Sequence, residues 1–218
     1  MSLETIIYIV VIIYSIILHE IAHGYIAFRE GDSTAKWNGR LTLNPIPHID
    51  ILGSIIFPLL SFFSLGAIMG WAKGVPYNPN LLKYKYSETR VAAAGVAANL
   101  LIAVLSIILY KVIIFVDNIF LLKSGLIIND SVVLSGVLVF LVIITMVNIN
   151  LAIFNLLPLP PFDGLRIITS ISHKWGRTIN DIMSKYQYQF IIISLFIAYN
   201  IAPHLVAFNN AIIRFLLY

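Results

Sequence analysis

The fold of this chain is decided by Ile6–Phe28, IIYIVVIIYSIILHEIAHGYIAF, an apolar run interrupted by three ionisable side chains. A run of about 20 apolar residues can cross a bilayer as a helix. Ionisable groups at that depth are costly and by default mark a site. In a helix, His19 and His23 lie one turn apart on the same face. Both imidazoles can therefore bind one tetrahedral zinc ion, and Glu20 beside them can act as general base on a zinc-bound water. The alternative is a snorkelling or hydrogen-bonded histidine pair near a helix end, which leaves Glu20 unexplained.

The composition indicates a membrane protein that crosses the bilayer several times. Of the 218 residues, 60% are hydrophobic and 11% are charged, whereas soluble domains carry about 25% charged residues. We expect a single membrane-embedded domain over 1–218, with the first apolar run retained. Because the chain has no cysteine, a metal must be bound by histidine and carboxylate. No basic run is long enough to follow a nucleic-acid backbone.

Four segments are long and apolar enough to span a bilayer, and a fifth is borderline. The four are Ile6–Phe28, Val91–Val116, Val132–Leu157 and Tyr188–Leu216, the last interrupted by Pro203. The borderline segment is Ile51–Met69, which contains two glycines and a proline. The fold class predicted is an all-α polytopic membrane protein with four to six transmembrane helices.

Basic residues set the orientation that we expect. They are frequent in 29–90 and 158–187, whereas 117–131 contains only Lys123. Both basic stretches are therefore predicted to lie inside and 117–131 to form an outer loop. This arrangement requires Ile51–Met69 to enter and leave on one side, as a re-entrant or membrane-surface segment after the first helix. The alternative is that Ile51–Met69 crosses the membrane once, which would invert the orientation of all later spans and loops.

A catalytic zinc site needs a third protein ligand, and Asp163 is the leading candidate. It follows the third of the four spans in the stretch Asn155–Gly164, NLLPLPPFDG, whose prolines prevent a regular helix. Under the predicted orientation, the inner ends of two spans place His19, His23 and Asp163 at similar depth. The alternative is that Asp163 is an ordinary helix cap or turn residue.

Together, these motifs resemble the site-2 protease family of intramembrane zinc metalloproteases. An HExxH motif inside a span is followed much later by the Asn155–Gly164 stretch. The sequence between them also fits this family. It includes Gly31–Ala35, Gly39–Pro45, His48–Asp50 and Gly70–Pro76. The resemblance covers about residues 15–170 and points to a compact branch without a PDZ domain.

The resemblance implies a role for each matching residue. His19, His23 and Asp163 bind one zinc ion per chain, and Glu20 activates the water and passes its proton to the leaving amine. Asn155 stands where the family has an asparagine near the scissile peptide, where it holds the substrate backbone or the oxyanion.

Three further residues are candidates for supporting roles. Asn99 stands where a Gly-Pro-x-x-Asn motif is usual in the family, but this chain has no proline there. His48 and Asp50 precede the borderline segment and are predicted to orient the ligands or gate access. A solvated loop pair is the alternative for these two, and His48 as an additional zinc ligand is a further one.

The function predicted is an intramembrane zinc endopeptidase, of the kind that acts in regulated intramembrane proteolysis. Its expected partners are the lipid bilayer and a substrate that is a single-span membrane protein or a signal-peptide remnant. We expect a prokaryotic inner membrane, with the active site toward the cytoplasm. A metal or proton transporter and a catalytically silent membrane scaffold are the alternatives, and both would tolerate Glu20→Gln.

Overall fold

The chain folds into long membrane-spanning helices joined by short helical turns. The computed structural model describes residues 3–56, 72–124, 132–171 and 185–217, and the separate positions 59, 63, 176, 178, 179, 181 and 182. We number the α-helices in chain order: α1 (Leu3–Arg29), α2 (Thr34–Trp37), α3 (Ser87–Ser124), α4 (Val132–Asn155), α5 (Asp163–Ile171) and α6 (Gln187–Leu217). No strand occurs within these described parts of the chain, which confirms the prediction of an all-α membrane protein.

The helices α1, α3 and α4 are each long and apolar enough to cross a membrane by themselves. In α6, Ile192–Ile201 and Pro203–Leu216 pass the same test as a pair that is bent by 41°. Proline removes a helical hydrogen bond and its ring clashes with the preceding turn, so the bend falls where the sequence predicts it. The described residues thus contain three spans, or four when the bent pair is counted as one.

Helix α3 lies at the centre of the bundle and packs along both α1 and α4. In its second half, Tyr110 packs with Leu138 and Leu141 of α4 and Leu216 of α6. The sequence predicted that this span ends at Val116, but the helix continues to Ser124. The eight residues after Val116 contain neither glycine nor proline, so the loss of hydropathy there does not break the helix.

The segment between α1 and α3 begins and ends at the same end of the bundle. Arg90 forms an ion pair with Glu30, with Nη2 and Oε2 2.6 Å apart, and the Lys83 N–H donates to the Glu30 carbonyl oxygen (3.0 Å). This is the geometry that a re-entrant or surface path for Ile51–Met69 requires. Residues 52–56 form one turn of π-helix, and most of the remaining segment lies outside the described residues.

Helix α5 begins at Asp163, directly after the proline-rich turn that follows α4. Gly164 makes the close approach of these two helices feasible, because a Cβ atom there would lie 2.3 Å from the Leu156 carbonyl oxygen. Helix α6 contacts the same turn, since Ser194 Oγ donates a 2.5 Å hydrogen bond to the Pro160 carbonyl oxygen. The turn that carries Asp163 is therefore held between α4 and α6.

Candidate metal centre

Three side chains from opposite ends of the sequence converge between α1 and the start of α5. His19 Nε2 lies 3.0 Å from Asp163 Oδ2, and His23 Nε2 lies 3.1 Å from the same oxygen. The two Nε2 atoms are 3.1 Å apart. All three residues are buried. Among the described residues they form a group able to hold a metal ion.

The outer nitrogen of each imidazole is engaged by helix α3. His19 Nδ1 lies 2.7 Å from Asn99 Oδ1, and His23 Nδ1 lies 2.7 Å from the Val91 carbonyl oxygen. A backbone carbonyl can only accept, so His23 Nδ1 carries the proton and its Nε2 presents a lone pair toward Asp163.

The proton on His19 is fixed by a chain of buried amides. Asn148 Nδ2 donates to the Ile144 carbonyl oxygen (2.9 Å) and to Ser15 Oγ (2.9 Å). Because that carbonyl can only accept, Asn148 Oδ1 must face Asn99, and it receives the Asn99 Nδ2 hydrogen bond at 3.2 Å. Asn99 Oδ1 is then left to accept from His19 Nδ1. We call Asn99 and Asn148 the amide relay; both side chains are fully buried.

These residues fit a zinc ion. With both outer nitrogens protonated, two imidazole lone pairs and a carboxylate oxygen point at each other, which is unfavourable unless a cation lies among them. In a tetrahedral zinc site with bonds of about 2.0–2.1 Å, neighbouring ligand atoms lie about 3.3 Å apart. The observed separations of 3.0–3.1 Å are close to that value. Two histidines and one carboxylate also leave the fourth position that catalytic zinc sites keep open.

The carboxylate of Asp163 is suited to hold a cation. Asp163 is buried, and a buried carboxylate needs a positive charge facing it. Its place at the first residue of α5 also puts the carboxylate at a helix N-terminus, which favours negative charge.

Gly95 of α3 allows the two histidines to reach their partners on that helix. A Cβ atom at this position would lie 2.4 Å from His19 Cε1 and 2.5 Å from the Nε2 atoms of His19 and His23. Separations under 3.0 Å are essentially never seen for real Cβ atoms. The metal centre therefore lies directly against the backbone of α3.

The carboxylate of Glu20 is positioned by the backbone of a segment that follows the undescribed part of the first loop. Its Oε2 accepts a 2.8 Å hydrogen bond from the Val75 N–H. That segment is in turn contacted by Arg40, whose Nη2 donates to the Lys73 carbonyl oxygen at 2.5 Å.

The structure brings together three of the eight predicted site residues, His19, His23 and Asp163. Asn99 contacts His19, and Glu20 follows His19 in α1 with its carboxylate on the Val75 N–H. Asn155 is the last residue of α4, and its Nδ2 donates to the Leu151 carbonyl oxygen (2.9 Å) of its own helix. Among the described residues, no hydrogen bond joins it to the metal centre. Its role at the scissile peptide stays a prediction.

His48 and Asp50 make local contacts in the first loop. His48 Nε2 lies 3.0 Å from the Thr42 carbonyl oxygen, and His48 is not part of the group able to hold a metal. Asp50 Oδ1 accepts from the Gly53 N–H (2.7 Å), as a helix cap does. Their roles as ligand-orienting or gating residues stay predictions.

The comparison with protein families agrees with this geometry. Residues 7–198 match the family described as peptidase family M50. The chain belongs to this family. It is an integral membrane zinc metallopeptidase of the site-2 protease type, as the sequence motifs predicted.

Two curated proteins are similar to the chain. One is the "Putative zinc metalloprotease YwhC" of Bacillus subtilis (strain 168), 33% identical over 75% of this chain and 68% of that protein. The other is the "Putative zinc metalloprotease Rip2" of Mycolicibacterium smegmatis, 37% identical over 42% of this chain and 34% of that protein. The chain thus matches about two thirds of the first relative and about a third of the second. No solved structure matches the chain significantly.

Sequence reasoning did not find the groups that support the metal centre. Asn148 could have been found from the sequence, because it is a polar residue within an apolar span and such residues often mark a site. Arg40 and the Val75 N–H offered no such signal, because a basic loop residue and a backbone donor look ordinary until the fold places them beside Glu20.

Proposed function

We propose that the chain is an intramembrane endopeptidase that hydrolyses a peptide bond in or near the transmembrane segment of a membrane-anchored substrate. One observation carries the proposal: His19, His23 and Asp163 converge within 3.1 Å beside Glu20, inside the helical bundle. At about 1.5 Å per residue, His23 lies about 9 Å and His19 about 15 Å from the end of α1 at Arg29. These distances support a site below the membrane surface, at the end of the bundle where α1 ends and α3 begins.

The chain's own residues have separate tasks in this reaction. His19, His23 and Asp163 would hold the zinc ion, which when bound acidifies a water molecule and polarises a carbonyl oxygen. Glu20 takes the proton of the attacking water and delivers it to the leaving amine. Its Oε2 is tied to the Val75 N–H, so Oε1 is the oxygen that exchanges the proton. Asn99 orients His19, and Asn155 at the end of α4 binds the substrate backbone or the developing oxyanion.

The depth of the site determines the form of the substrate. A transmembrane helix hides its peptide bonds in intrahelical hydrogen bonds, so the cleaved bond lies near a helix end or in a locally unwound turn. A single-span membrane protein or a signal-peptide remnant meets this requirement.

The orientation follows from the basic residues at the end of the bundle nearest the site. Arg29 ends α1, and Lys36 and Arg40 follow within the next loop. Short loops rich in lysine and arginine stay in the cytoplasm. We therefore place the active site on the cytoplasmic side of a prokaryotic inner membrane, within a single domain over 1–218.

The test separates zinc binding from hydrolysis. A reporter with a secretory signal peptide, tagged at its cytoplasmic end, is co-expressed with the wild type and with Glu20→Gln, His23→Ala and Asp163→Ala. We expect Glu20→Gln to retain one zinc ion per chain and to lose cleavage by at least about 100-fold, the range for removing a general base. His23→Ala and Asp163→Ala should lose both zinc and cleavage.

A transporter or a silent scaffold gives a different pattern. Neither cleaves the reporter, so a wild type that cleaves no more than His23→Ala and Asp163→Ala would refute the proposal. Normal cleavage by Glu20→Gln, or full zinc occupancy in both ligand variants, would also refute it. Arg90→Gln is the matched control, because it removes the contacts of Arg90 with Glu30, Ser87 and Tyr84 and none of the metal ligands. It should cleave as the wild type does.

A further inference from the structure

Arg40 is a buried cation outside the metal centre. Only 6% of its surface is exposed, and its Nη2 donates to the Lys73 carbonyl oxygen at 2.5 Å and less closely to the Gly74 carbonyl oxygen at 3.4 Å. Within the described part of the chain, its Nε is buried without a hydrogen-bond partner. Burial lowers the pKa of Arg40, and the nearby negative charge of Glu20 counters that shift. Burying a guanidinium costs free energy, so its placement against two backbone carbonyls calls for an explanation.

Those two carbonyls belong to the peptide that contacts Glu20. Lys73 is held on both sides, since its N–H donates to the His48 carbonyl oxygen (2.9 Å) while its own carbonyl accepts from Arg40. Two residues further on, the Val75 N–H donates to Glu20 Oε2 at 2.8 Å. Gly74 lies between them, and a Cβ atom there would still be 3.9 Å from Oε2. The backbone thus reaches Glu20 while the space beside the carboxylate stays open.

We propose that Arg40 is a positioning residue for the reaction: by holding the Lys73 and Gly74 carbonyls, it keeps the Val75 N–H on one oxygen of Glu20 and leaves the other for the water. We refer to Arg40, the backbone of 73–75 and the Glu20 carboxylate as the backbone clamp. The inference rests on the role of Glu20 as general base given above.

The effect of the clamp should appear in turnover. A carboxylate on a glutamate side chain has several rotamers, and one hydrogen bond from a fixed N–H selects among them. A general base contributes about 10²–10⁴-fold to rate, and a displacement of about 1 Å can cost about 100-fold. Loss of the clamp should therefore lower kcat by about 10–100-fold. The residues that bind zinc are untouched, so zinc content and KM should stay the same.

A purely structural role for Arg40 predicts something else. If Arg40 only packs the first loop, Arg40→Gln lowers the yield or the melting temperature, but each folded, zinc-loaded molecule turns over at the wild-type rate. The measurement is therefore kcat and KM per zinc-loaded chain, with a labelled signal peptide in detergent micelles as the probe.

The experiment compares two ways of breaking the clamp. Arg40→Gln removes the cation, and Val75→Pro removes the N–H itself; Val75→Ala reports the part of the latter effect that comes from the side chain. We expect Arg40→Gln and Val75→Pro to lower kcat by similar factors. The double variant should have a kcat no lower than that of the less active single variant, because both changes act on the same hydrogen bond. Arg40→Lys, with one ammonium for the same carbonyls, should restore part of kcat. Arg90→Gln is the control for loss of an arginine at this end of the bundle.

The outcomes are distinct. Wild-type kcat in zinc-loaded Arg40→Gln, or equal kcat in Val75→Pro and Val75→Ala, would overturn the clamp while Glu20→Gln remains inactive. If Arg40→Gln does not accumulate as folded protein, the two Val75 variants decide. A fully active Glu20→Gln would instead overturn the proposed function on which the clamp rests.

Discussion

The close contact between Gly95 and the two histidines yields the sharpest prediction for the metal centre. Gly95→Ala adds one methyl group whose carbon would lie 2.4–2.5 Å from the imidazole atoms that face the metal. Ordinary contacts begin near 3.4 Å, so either the rings or helix α3 must move by about 1 Å. Protein ligands to zinc hold their distances within about 0.2 Å. The required movement is therefore about five times that tolerance.

Neither a movement of the rings nor a movement of α3 preserves the site. The rings cannot retreat alone, because their Nδ1 atoms are held by Asn99 and by the Val91 carbonyl oxygen at 2.7 Å. If α3 retreats, it takes both of these acceptors with it. Loss of an orienting partner costs about 10–100-fold in metal affinity. Because the substitution disturbs both histidines, we expect zinc affinity to fall by at least about 100-fold.

The assay is zinc competition against a chelator with purified protein in detergent, together with a thermal melt. Gly136→Ala in α4 is the matched control, because a Cβ atom there meets nothing within 4 Å. Both substitutions gain about 1 kcal/mol of helix propensity, so the difference between them isolates the clash. A Gly95→Ala variant whose zinc affinity stays within threefold of the wild type would refute the geometry described for this site.

Three further predictions test the surroundings of the site. Asn148→Leu breaks the amide relay, so zinc affinity should fall by about 10-fold. The control Asn209→Leu should leave zinc affinity unchanged, and equal zinc affinities of the two variants would refute the relay. Gly164→Ala would place a Cβ 2.3 Å from a carbonyl oxygen of the preceding turn, so zinc occupancy should fall even though every ligand is present, and full occupancy would contradict the packing. Hydrogen bonds, chiefly from Arg90, lower the pKa of Glu30 from 4.5 to about 2. Because the folded-state pKa is depressed, the stabilisation is present above pH about 4.5 and is lost as the pH falls toward 2, and Glu30→Gln should flatten that part of a melting-temperature profile.

The sequence predicted those features that depend on local patterns. Four apolar runs predicted four spans because a bilayer requires about 20 apolar residues, and Pro203 marked the bend in the last one. The spacing of His19 and His23 predicted a shared face because a helix repeats every 3.6 residues. Asp163 was predicted from the proline-rich turn that carries it, and the expected orientation put that turn in the same leaflet as the histidines.

The sequence did not predict features that arise only when helices pack. The span 91–116 gave no sign that Gly95 lies against two imidazoles, since a helical glycine has no unique local signature. Every residue has a backbone carbonyl and every residue except proline has an N–H, so the roles of the Val91 carbonyl and the Val75 N–H leave no sign in the sequence. Helix α3 also continues eight residues beyond the predicted span, because hydropathy reports the membrane and not the helix.

The separation of the metal ligands along the chain has a consequence for biosynthesis. His23 and Asp163 are 140 positions apart, and a ribosome adds about 5–20 residues per second. The histidines are thus made roughly 7–30 s before the carboxylate. Through that interval a nascent molecule has only part of its metal-binding set, so it cannot degrade its neighbours at the insertion machinery, and its hydrolytic power begins only after translation has passed α5.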